Sequence, residues 1–160
     1  MARKKQTDKV LIAASEQLHQ QMRMLTVLVN ALIGAGPGGA PTPVAEEALG
    51  AAFLARAAAL IHFLHPDKPK RDDVIAVDFF EDPKEWERHC IAPSERLHLA
   101  RERSRADAAR LSYKSPGAMP KVDGRYVIEV ANEISAGLSI FLAHAPAERL
   151  APVWRRFRNE

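Results

Sequence analysis

Cysteine is almost absent from this chain: Cys90 is the sole thiol in 160 residues. No internal disulfide is available, so stability must come from a buried core, which a chain of this length can build. A lone thiol suits a reducing compartment, and a cytoplasmic location is expected. Aromatic side chains are also scarce, at 6%. Phe79, Phe80, Trp86, Trp154 and Phe157 therefore read as plugs of an aliphatic core and not as a base-stacking platform. Long apolar runs are missing as well. The stretch from Leu25 to Ala35 is interrupted by Asn30 and falls short of the roughly 20 residues that span a bilayer. The basic start at Arg3 to Lys5 is followed by a short apolar run, Val10 to Ala14, that gives way to Ser15 and Glu16. Neither an export signal nor a membrane partner is expected, and the chain reads as one soluble domain over residues 1–160.

Charge of one sign is lacking too. Lys and Arg number 23 against 20 Asp and Glu, a net of +3. Such a balance permits an anionic partner without demanding one. The basic residues cluster, however: His98, Arg101, Arg103, Arg105 and Arg110 crowd a stretch whose only acids are Glu102 and Asp107. That local density suits phosphate groups, and equally suits a solvated helix face.

What is present is helical periodicity. Leu11, Ala14, Leu18, Met22, Leu25, Val29 and Leu32 recur in steps of three and four, predicting a helix over 7–34. Four Gly and three Pro between Gly34 and Pro43 must end it and turn the chain. The glycines do not make a phosphate loop, because no Lys-Ser/Thr follows and no strand precedes. Thr42 as cap, Pro43 at the first position and Glu46 and Glu47 in the first turn predict a second helix over 43–65, with Leu49, Phe53, Leu60 and Phe63 or Leu64 inward. Residues 66–93 read as irregular. Val74 to Val77 has no second strand to pair with, so an extended or one-turn segment is expected there. Ser94 caps a third helix over 94–113, and a fourth covers 124–144 with Val127, Ala131, Ile134, Leu138 and Phe141 on one face. A short helix over 147–157 closes the chain. The fold expected is all-α, a four- to five-helix antiparallel bundle.

Few residues offer chemistry. His62 and His65 stand near Asp67, Asp72 and Asp73, but the intervening Lys68, Lys70 and Arg71 oppose a cation, so no metal site is expected. Cys90 beside His89 lacks an orienting partner, since adjacent side chains rarely face each other. No cofactor is called for. On the third helix, Arg103, Asp107, Arg110 and Tyr113 fall on one line. Two guanidiniums about one carboxylate would leave positive charge for a phosphate if that line faces a groove.

The run from Arg103 to Tyr113 resembles the signature helix of HEPN domains, in which Arg is followed after four to six residues by His, often with Tyr soon after. The segment Arg71 to Phe80 followed by Trp86, and Arg56 in the second helix, are similar to features of small bacterial HEPN-like proteins; the likeness spans roughly residues 50 to 115. It implies a helical bundle, commonly a homodimer, and in active members a metal-independent endoribonuclease whose Arg steadies the scissile phosphate while His moves the proton. Here position 110 is Arg, a poor proton shuttle with a pKa above about 12. The resemblance therefore implies phosphate, RNA or nucleotide contact by Arg103, Arg110 and Tyr113, with Arg105 and Arg56 nearby, and ribonuclease activity weak or lost. Arg103 and His98 are the remaining catalytic candidates, although His98 lies over three helical turns before Arg110. The competing expectation is a noncatalytic protein-interaction or dimerisation module, in which the arginines make internal salt bridges.

Overall fold

A computed structural model describes residues 5–107 and 122–158, with the side chains of Asp107 and Arg158 left aside. Every regular element among them is helical. The four long helices are α1 (Asp8–Leu32), α2 (Pro43–Leu64), α4 (Glu95–Asp107) and α5 (Gly124–His144); two short ones are α3 (Pro83–His89) and α6 (Pro152–Arg155).

The helix starts read at Thr42 and Ser94 are capped as expected. Thr42 Oγ1 accepts from Ala45 N at 3.3 Å, with Pro43 at the first position of α2. Ser94 Oγ accepts from Leu97 N at 3.3 Å, and Asp123 Oδ1 from Tyr126 N at 2.8 Å. After α1 the chain turns through Gly34 and Gly39, whose φ values of 73° and 70° lie in the left-handed region that L side chains avoid.

Helix α2 sits at the centre and packs against α1, α4 and α5. Its C-terminal half is consequently buried on several sides, at Phe53, Leu54, Ala57, Leu60, Ile61, Phe63 and Leu64. The contact with α5 is close: a Cβ added at Gly137 would lie 2.8 Å from Leu64 Cδ1. By length and composition alone, α2 and α5 are each apolar enough to cross a membrane.

The region over 66–93 holds more order than its sequence suggests. Ala76–Phe79 forms one 3₁₀ turn, in line with the one-turn expectation at Val74 to Val77. Helix α3 was not expected. Its start signal is nonetheless there, with Asp82 Oδ1 accepting from Lys84 N at 3.0 Å and Pro83 at the first position. Seven residues are too few to show a periodic stripe. Phe79, Phe80 and Trp86 from this region plug the bundle around Phe141, whose ring centroid lies 5.1, 6.1 and 5.9 Å from theirs and 5.0 Å from that of Phe63.

The expected helix over 147–157 is corrected. Ala147–Arg149 and Arg156–Arg158 are 3₁₀ turns flanking a single α-turn, Pro152–Arg155. Pro152 explains the break, because it lacks an N–H and its ring excludes a preceding helical turn. The segment is tied down by Ser15, whose buried hydroxyl accepts from Ala151 N at 2.7 Å while its carbonyl accepts from Trp154 Nε1 at 2.6 Å. Arg149, buried, donates to Asp8 Oδ1 at 3.1 Å, to the Phe79 carbonyl at 2.8 Å and to Glu81. One guanidinium thus joins the start of α1, the 76–80 turn and the C-terminal segment.

Candidate phosphate face on the fourth helix

Of the residues singled out for phosphate contact, Arg56, His98, Arg103 and Arg105 lie within the described residues; Arg110 and Tyr113 lie outside them. The line running from Arg103 through Asp107 and Arg110 to Tyr113 is therefore placed only at its first member. Helix α4 buries Leu97 and Ala100 and carries four arginines, Arg96, Arg101, Arg103 and Arg105, among its other residues.

Those arginines are held by the fold. Arg96 pairs with Glu133, and with Glu129 at 3.2 Å, both on α5. Arg101 donates to the His65 carbonyl at 3.1 Å and approaches His98 Nδ1 at 3.2 Å. The His65 carbonyl belongs to the negative end of α2, where a cation satisfies an oxygen that the helix leaves open. Arg103 places its guanidinium carbon 5.2 Å from the Tyr126 ring centroid, a cation–π distance. Burial pushes the Tyr126 phenol above its usual range, and the Arg103 charge works against that rise. Arg105 lies 3.6 Å from Asp67, and both are well exposed. Arg56, on α2, donates to Gln21 Oε1 of α1 at 2.8 Å.

Arg103 does line a cleft, of about 360 Å³. Glu46 and Glu47, near the start of α2, line it too, along with Gly50, Leu54 and Val122. Among the described lining residues the charged groups are these two carboxylates and one guanidinium, and like-charge repulsion from the carboxylates opposes a phosphate there. Asp72 and Asp73 do not line this cleft; Asp73 accepts from His62 at 2.9 Å and from Lys70 N at 2.7 Å. The backbone donor of Lys70 and then His62 hold the Asp73 carboxyl below its ordinary range. His62 is thereby engaged by one carboxylate, and among the described residues no group of three or more His, Cys, Asp or Glu stands together to ligate a metal.

The thiol has a partner that its sequence neighbours do not reveal. Cys90 Sγ lies 3.5 Å from His65 Nδ1, across 25 positions, while His89 stacks on His144 with centroids 3.6 Å apart. A Cys–His nucleophile needs a thiolate beside an imidazolium. Here burial pushes the Cys90 thiol up, and burial together with the Arg101 charge pushes His65 down. Both shifts favour the neutral pair. At mildly alkaline pH Cys90 is expected to react with iodoacetamide more slowly than cysteine in an unstructured peptide, and a rate above the peptide's contradicts this geometry.

Comparison with protein-family models, with curated proteins and with solved structures finds no match.

Proposed function

We propose that this protein is a noncatalytic helical interaction module in which the arginine-rich helix α4 is a structural tie. The observation that carries this reading is the environment of Arg103: its guanidinium rests on Tyr126, and the cleft it borders is lined by Glu46 and Glu47. Its neighbours support it, with Arg96 paired to α5 and Arg101 bonded across to the end of α2. A cytoplasmic location, and a homodimer among the possible assemblies, belong to the same reading.

A second reading, a divergent HEPN-like bundle that contacts RNA or another phosphate-bearing ligand, draws on the exposed end of α4. There Arg105 is 60% exposed and its contact with Asp67 is long, at 3.6 Å. Residues that continue the resemblance, Arg110 and Tyr113, follow beyond it in sequence.

The two readings separate on Arg101→Ala and Arg103→Ala. A structural tie predicts that Arg101→Ala lowers unfolding free energy by about 1–2 kcal/mol, the cost of losing a part-buried charged donor on the His65 carbonyl. It also predicts that binding of single-stranded RNA is no stronger in the wild type than in Arg103→Ala at any salt concentration. A wild-type salt slope that shrinks in Arg103→Ala, or cleavage gained by Arg110→His, supports the HEPN-like reading instead.

A further inference from the structure

Resting on the interaction-module reading, we infer that the partner is a second copy of this chain, docked through the exposed face of α1 with the two helices antiparallel. Along that helix Val10, Ala13, Gln17, Gln20, Met24 and Val27 recur in alternating steps of three and four, and all six are exposed. This is the spacing of a seam between two helices. Val10, Met24 and Val27 are 45%, 44% and 58% exposed, so half of the seam consists of large apolar side chains left in solvent. At 100° per residue it lies roughly a third of a turn from the buried line of Leu11, Leu18 and Leu25. Neighbouring elements stop on either side of it: Arg56 of α2 bonds to Gln21 on one flank, and Trp154 meets the His19 ring on the other.

The order of residues along the seam identifies its occupant, because the seam complements its own reverse. With a twofold axis level with Leu18 and His19, Val10 meets the partner's Val27, Ala13 the partner's Met24 and Gln17 the partner's Gln20. The long Met24 thus faces the small Ala13, and the central glutamines exchange amide hydrogen bonds, which fixes the register. Beside the seam, Glu16 and Arg23 are both exposed, and neither is in an ion pair among the described residues. The same alignment brings Glu16 close to level with the partner's Arg23 and, by symmetry, Arg23 to the partner's Glu16. Lys9 falls near the uncharged Asn30 of the partner subunit. Two opposite-charge pairs therefore form, and no like-charge pair. A parallel pair would aim Glu16 at Gln21 and Arg23 at Leu28, the one half-buried and the other buried in its own fold. A bilayer would have to desolvate Gln17 and Gln20 at the middle of the face without supplying partners.

Analytical ultracentrifugation of the whole chain tests this. The wild type is expected to dimerise with a dissociation constant on the order of 10 μM, as suits a small interface. Glu16→Lys sets like charges together at both symmetric positions and is expected to weaken dimerisation by about tenfold or more; so is Arg23→Glu. An equimolar mixture of these two variants restores both opposite-charge pairs between unlike chains and is expected to dimerise about as tightly as the wild type. Met24→Lys, which charges the apolar seam itself, is expected to abolish the dimer. All three positions are exposed, and far-UV circular dichroism verifies that each variant keeps its helices. A wild type that stays monomeric up to about 1 mM overturns the inference. So does a dimer that none of the substitutions weakens, which places the contact elsewhere, or a mixture that stays monomeric, which rules out the antiparallel register. The RNA measurements on α4 do not involve α1, so the interaction-module reading and the identity of its partner fail separately.

Discussion

Phe141→Ala is expected to lower the free energy of unfolding by about 4 kcal/mol, within the range for emptying a core aromatic site. Phe141 is fully buried on α5 and touches four other rings, those of Phe63, Phe79, Phe80 and Trp86. Three of those four come from outside the long helices, from the 76–79 turn, the residue after it, and α3. Removing the Phe141 ring therefore opens a cavity and unseats the turn that α2 and α5 enclose. The arrangement resists collapse, because Phe63 and Phe79 are fixed edge-on to the lost ring at interplanar angles of 87° and 88°. Phe141→Leu retains most of the volume and is expected to cost about 1–2 kcal/mol. Urea denaturation followed by far-UV circular dichroism measures both. Losses under 1 kcal/mol for the alanine variant would mean that the ring cluster does not pack as described.

Arg149→Ala is expected to cost about 2–3 kcal/mol, mostly through the carbonyl of Phe79, which loses a charged donor inside the fold. The side chain is only 8% exposed, whereas its acidic partners Asp8 and Glu81 are 59% and 64% exposed. Water solvates those carboxylates once the guanidinium is gone, so the ion pairs themselves contribute little and salt screens them. The cost should consequently persist in high salt. Arg149→Lys cannot reach three acceptors from one planar group and should recover only part of the loss. Urea denaturation at low and at high salt checks this. A penalty that vanishes with salt would show that the surface ion pairs, and not the buried carbonyl, hold the C-terminal segment.

Much of the helical framework is legible in the sequence because its signals are local. Thr42 with Pro43, Ser94 and Asp123 mark helix starts by side-chain oxygens that reach three residues ahead. The α1 stripe is legible at Leu11, Leu18, Leu25 and Leu32, all buried. Met22 and Val29, read onto the same stripe, are only half-buried, and Ser15 and Leu28 take core positions. The reason is that α1 packs against both α2 and α5, so its covered arc is set by two neighbours and not by periodicity alone. Helix α2, enclosed by three helices, buries Leu54, Ala57 and Ile61 in addition to the expected Phe53, Leu60, Phe63 and Leu64, while Leu49, also expected inward, is only half-buried.

The candidate site was less legible, since its outcome depends on which groups meet across long separations. An Arg-rich helix looks the same in sequence whether it faces water, phosphate or the acids of its own fold. The Arg96 contacts to Glu129 and Glu133, the Arg101 bond to the His65 carbonyl and the approach of Cys90 to His65 join positions 25 to 37 apart. The signal for α3 was available in Asp82 and Pro83, and the break in the last helix in Pro152. Arg149 carried no such signal: an arginine in a short turn reads as surface until three segments are seen to close over it.

The central claim is that Arg96, Arg101 and Arg103 of α4 are engaged within the fold. It is tested most directly by the urea-unfolding free energy of the wild type with and without excess single-stranded RNA at low salt. A ligand bound to the folded chain must raise that free energy by mass action, by about 2.7 kcal/mol at a hundredfold excess over its dissociation constant. The account predicts no change beyond error. Stabilisation by RNA that disappears as salt is raised would contradict it and return α4 to phosphate recognition.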